Sequence, residues 1–83
     1  HAGALLHYVP QGGVYVLFRY DDESRLMLVL NKTPESVSLD TARFAEGIGG
    51  RRAGIDVLGG ERLTLAPSLE VPARGTLLLE LVD

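Results

Sequence analysis

The chain has 83 residues, a net charge of −3 and no cysteine. That is room for one domain, and it excludes disulfide staples, thiolate metal sites and thiol nucleophiles. Nucleic acid would need a basic face to neutralise its phosphates, and the longest apolar run is far short of a membrane span, so neither is expected as a partner.

The sequence starts at His1 and not at Met, which reads as a fragment boundary. A first strand is expected over 4–9, followed by turn residues Pro10, Gln11, Gly12 and Gly13. Residues 13–32, GVYVLFRYDDESRLMLVLNK, read as a β-hairpin: two alternating apolar runs, 14–20 and 25–31, flank an acidic turn. Val14, Val16, Phe18 and Tyr20 share one face of the first run, and Tyr15, Leu17 and Arg19 the other. In the second run Leu26, Leu28 and Leu30 oppose Arg25, Met27, Val29 and Asn31. A strand follows over 35–39. Residues 39–46, LDTARFAE, lack strand alternation, and Asp40 or Thr41 can cap a short helical turn there, with Leu39 and Phe44 packing over it. The glycines at 47, 49 and 50 would end it, because glycine takes the left-handed conformation cheaply. Further strands are expected over 51–57, 61–65, 68–71 and 76–82, separated by Gly- and Pro-rich turns. Regular short strands with turn signals make an all-β sandwich or barrel of about seven to eight strands, with one helical turn near 40–46.

Both faces of the hairpin are largely apolar, and the last strand repeats the pattern, Leu77, Leu79 and Leu81 against Leu78, Glu80 and Val82. A strand of a two-sheet sandwich should show one polar face. Tyr15, Leu17, Met27, Val29 and Leu78 are therefore surplus to a single core. They form either a docking face or a surface covered by the helical turn and loops of the same domain.

Catalytic chemistry has little to build on. Asp21, Asp22 and Glu23 put three carboxylates in a hairpin tip, where a solvated turn is the simpler reading than a calcium site. His1 and His7 are the two histidines, and no carboxylate is spaced to partner either. GIGGRRAG, 47–54, has Arg52 where a dinucleotide fingerprint would need glycine, so no cofactor is expected. Tyr20 beside Asp21 and Asp22 could present a ring and acceptors to a sugar; hairpin packing is the competing reading.

Four stretches together resemble a known family. YVPQGGVYVLFRYDDESRLMLVLNK, VSLDTARFAEGIGG, GIDVLGGERLTL and LEVPARGTLLLEL are similar to the C-terminal β-domain of cyclomaltodextrinase- and neopullulanase-like enzymes, in the alpha-amylase family of glycoside hydrolases. The last two stretches follow that family's patterns D-x-x-[TS]-G and [LV]-P-x-x-[GS]-x-x-x-L-x-L, with Gly59 where Thr or Ser is usual. The resemblance implies an antiparallel Greek-key β-sandwich, residues 1–83 as a single C-terminal domain, and a larger parent hydrolase whose catalytic carboxylates lie on a separate (β/α)8 barrel. The family's catalytic motifs are not in this sequence, so no catalytic residue is carried over. The implied partner is the barrel of the same polypeptide, meeting Tyr15, Leu17, Met27 and Val29. An α-glucan at Tyr20, Asp21 and Asp22 is the alternative, as is a free-standing interaction domain. Cytoplasmic and periplasmic parents both fit.

Overall fold

The computed structural model describes residues 3–8 and 12–83. Among these lie eight strands: β1 (Ala4–His7), β2 (Val14–Tyr20), β3 (Arg25–Asn31), β4 (Val37–Asp40), β5 (Ala53–Asp56), β6 (Arg62–Thr64), β7 (Ser68–Val71) and β8 (Thr76–Val82). They form two antiparallel sheets, a six-stranded one in the order β1-β2-β3-β8-β5-β6 and a two-stranded one of β4 and β7. The all-β sandwich is thus found, with layers of unequal size. The expected strand end at Val9, the turn at Pro10 and Gln11, and His1 lie outside the described residues.

The chain leaves the large sheet after β3 for β4 of the small one, returns to the large sheet for β5 and β6, crosses again to β7, and comes back at β8, which inserts between β3 and β5. Ordinary alternation explains which side chains are inside. Val14, Val16 and Phe18 of β2, Met27 and Val29 of β3, and Leu79 and Leu81 of β8 face Leu39 of β4 and Leu69 and Val71 of β7. Fully buried Leu65 sits in the same core.

Between β4 and β5 a 3₁₀ turn (Thr41–Phe44) runs into α1 (Ala45–Ile48). Asp40 caps the turn by accepting a hydrogen bond from the Ala42 N–H, which relieves an orphan donor. Thr41 donates from both its N–H and its hydroxyl to the Pro67 carbonyl, tying the turn to the loop before β7. Leu39 and Phe44 are buried as the sequence suggests. Phe44 packs edge-on against Tyr8, ring centroids 4.8 Å apart, and Tyr8 against Phe18 at 5.7 Å, a favoured geometry for aromatic pairs. α1 ends at Gly49, which is left-handed at φ 62°.

Asn31, at the end of β3, joins the layers. Its buried amide donates to the carbonyls of Glu35 and Pro72 at 2.9 and 3.0 Å, with Val71 O further off at 3.4 Å. Its Oδ1 accepts from the Thr33 N–H at 2.9 Å and hydroxyl at 2.7 Å. One amide thereby ties the large sheet to the start of β4 and the end of β7.

The register of the hairpin corrects one expectation. Tyr20 pairs with Arg25, and each pair inward keeps the same sum, so Val16 faces Val29 and Phe18 faces Met27. Met27 and Val29 are 0% exposed in the core. They are not on the outer face with Tyr15 and Leu17, where the sequence reading put them. Opposite Tyr15 stands Leu30, and opposite Leu17 stands Leu28.

Candidate functional site

The outer face of the large sheet is ordered by its ladders. His7 pairs with Leu17, Leu17 with Leu28 and Leu28 with Leu78. The Val57 N–H donates to the Leu78 carbonyl, extending this row to a fifth strand position just beyond β5. A second row holds Tyr15 and Leu30, and ends at Thr76. A third, farther along the strands, runs Leu5, Arg19, Leu26, Glu80, Ile55 and Arg62. The face is therefore graded: apolar at the end where β2 begins and β3 finishes, charged toward the hairpin tip.

At the apolar end His7, Tyr15, Leu17, Leu28 and Leu30 line an open concavity of about 530 Å³. Leu17, Leu28, Leu30 and Leu78 are half-buried, because neighbours on a sheet face shade one another, and Tyr15 is exposed. The Lys32 ammonium stands 5.3 Å from the Tyr15 ring centroid, an exposed cation–π contact at the rim. The β5–β6 turn continues the apolar surface: Val57 is 52% exposed and Leu58 82%. The inner core fills without any of these side chains, so nothing inside the domain calls for their being apolar.

Sequence reading placed Tyr15 and Leu17 on this surface and missed Leu28, Leu30, Val57 and Leu58. A signal was available. With the turn at 21–24, antiparallel pairing of 20 with 25 makes every odd position of β2 face an even position of β3.

The second candidate lies at the hairpin tip. Gly3, Ala4, Tyr20, Asp21, Asp22 and Arg25 surround a shallow depression of about 480 Å³. Asp21 accepts hydrogen bonds from the Glu23 and Ser24 N–H groups, both at 2.8 Å. These two backbone donors, Glu23 first, hold its carboxyl below the ordinary carboxylate range, with Arg19 adding a smaller pull. The Arg25 guanidinium covers one face of the Tyr20 ring at 4.2 Å and donates to the Gly47 carbonyl at 2.6 Å. Tyr20, Asp21 and Asp22 are thus brought together, with one ring face already occupied.

Among the described residues no group of three or more His, Asp or Glu could hold a metal ion, and the buried polar side chains, Asn31 and Thr41, are not titratable. GIGGRRAG forms the end of α1, a left-handed turn at Gly49 and Gly50, and the start of β5. It does not form a strand–loop–helix cradle for phosphates.

No match to a curated protein reaches significance. Among solved structures, a beta-galactosidase from Bacillus circulans sp. alkalophilus is 26% identical over 93% of this chain, with a TM-score of 0.63. AmyP in complex with maltose is 18% identical over 94% of the chain, with a TM-score of 0.70, a likeness of fold. The chain spans only 10% and 16% of those two proteins. The model of the cyclo-malto-dextrinase C-terminal domain matches residues 5–80, nearly the whole chain, and the chain belongs to that family.

Proposed function

We propose that this domain is the non-catalytic C-terminal accessory module of a cyclomaltodextrinase-like α-glucan hydrolase, and that it packs on the catalytic (β/α)8 barrel and stabilises it. The parent would hydrolyse α-1,4 links in cyclodextrins or linear maltooligosaccharides with residues outside 1–83. The observation that carries the reading is the outer face of the large sheet, with Tyr15, Leu17, Leu28 and Leu30 around one concavity on a domain whose core lies on the opposite side of the same strands. Sandwiches of antiparallel sheets leave their outer faces polar when those faces meet water. Membership of a C-terminal-domain family over residues 5–80 supports a partner within the same parent polypeptide. An interdomain face of roughly 1,000 Å² would be typical.

The experiment is made in the parent polypeptide. Tyr15→Ser and Leu28→Ser should each lower its thermal midpoint, since docking completes the burial of side chains worth about 1–2 kcal/mol apiece. Turnover of the molecules that remain folded should be unchanged. If both variants melt with the parent, the outer face is not a docking surface and the reading fails.

A further inference from the structure

Leu58 is 82% exposed at the tip of the β5–β6 hairpin, in a turn whose other requirements are met by polar and glycine chemistry. The Asp56 carboxylate accepts from the Leu58 N–H at 2.9 Å, and Gly60, left-handed at φ 77°, donates its N–H to the Asp56 carbonyl at 2.7 Å. Nothing in that turn needs a large apolar side chain at 58, and water would favour a polar one. Beside it Val57, 52% exposed, ends the apolar row His7–Leu17–Leu28–Leu78. The tip therefore stands at the apolar end of the graded face, on the side away from Arg19 and Glu80.

From this continuity we infer that the β5–β6 tip is part of the docking footprint, with Leu58 inserted as an anchor into an apolar pocket of the catalytic body of the same polypeptide. The inference rests on the accessory-domain reading above, and it adds an orientation: the end of the sheet holding Tyr15, Leu30 and the 57–58 tip meets the partner, while the Asp21–Ser24 tip points to solvent. The occupant is the rest of the chain because the solved structures in which this fold recurs devote only 10% and 16% of their length to it. The remainder is covalently held close by, at an effective concentration that no separate molecule matches.

Leu58→Ser, Leu58→Met and Glu61→Ala are compared in the parent polypeptide by calorimetry, alongside Leu28→Ser. Leu58→Ser is expected to lower the midpoint by about 1–2 °C, because a given loss moves the midpoint less as the polypeptide lengthens and the parent is several times longer than this domain. Leu58→Met, which still fills a pocket, and Glu61→Ala, an exposed control on the same hairpin, should leave it within about half a degree of the parent, as surface changes are close to neutral. If Leu58→Ser melts with the parent while Leu28→Ser does not, the tip is outside the footprint and this inference fails, though the accessory-domain reading stands. If Leu28→Ser is silent too, both fail. If the effect of Leu58→Ser vanishes on dilution and the variant changes a dimer into a monomer, the tip joins copies and the intrachain anchor is overturned.

Discussion

Replacing Asn31 should be among the costliest single changes in this domain, and its effect should depend on pH in a direction set by geometry. The side chain is 2% exposed. It makes two strong donations, to Glu35 O and Pro72 O, and accepts from the Thr33 N–H at 2.9 Å. Each such bond contributes about 1 kcal/mol net, and an orphaned buried partner costs about 1–3 kcal/mol. Because the Glu35 and Thr33 contacts are only part-buried, water recovers some of the loss, and Asn31→Ala should cost about 2–4 kcal/mol. A domain of 83 residues holds roughly 4–12 kcal/mol in all, so the variant would be marginal. Asn31→Asp is the sharper probe. It keeps the acceptor for Thr33 but turns an ionised oxygen toward the carbonyls of Glu35, Val71 and Pro72, which disfavours the charged form and raises its folded pKa. A carboxyl with a raised folded pKa binds its proton more tightly folded than unfolded. The variant is therefore closest to wild type below the ordinary carboxylate pKa and loses stability as pH rises through it. Urea unfolding followed by far-UV circular dichroism, at pH 4 and pH 7 with wild type at each, measures both effects. A cost below about 1 kcal/mol for Asn31→Ala, or an equal deficit for Asn31→Asp at the two pH values, would refute the bridging role.

Two other outcomes follow from the same structure. Met27→Ala should cost about 2–5 kcal/mol as a core truncation, whereas Leu28→Ala, one position along on the other face, should cost the 83-residue chain under about 1.5 kcal/mol; urea midpoints in which Leu28→Ala is the more damaging would mean that the hairpin register is wrong. Asp21→Asn should remove a feature present at neutral pH: because backbone N–H donors lower the folded pKa of Asp21, its contribution is present above the ordinary carboxylate pKa and is lost as pH falls through the lowered value. NMR titration should find that carboxyl below those of ordinary exposed aspartates, and a midpoint at or above theirs would contradict the turn geometry.

Local chemistry accounts for most of what was legible. Strands at 14–20, 25–31, 68–71 and 76–82 are found at those bounds, since period-two alternation between turn signals is read within a few residues of chain. The helical segment was also readable from Asp40, Phe44 and the glycines, although it runs on to Ile48, beyond the expected 46. The face assignment of β3 was not obtained. Apolar residues occupy both faces of that strand, so hydropathy cannot distinguish Met27 and Val29 from Leu28 and Leu30. What distinguishes them is pairing with β2 and, on the other side, with β8, about fifty positions later in the chain, where Leu79 faces Met27 and Leu78 faces Leu28.

The amino-acid sequence alone determined most of the elements, the exclusion of thiol chemistry and the likeness to a cyclomaltodextrinase C-terminal domain, because each is carried by residue types or by patterns at short spacing. Tertiary structure alone decided which of the two apolar hairpin faces is core and which is surface, and it brought Val57 into line with Leu17, Leu28 and Leu78. The physical reason is that a strand side chain faces inward or outward only relative to a partner strand and a covering layer. Here those partners come from distant parts of the chain.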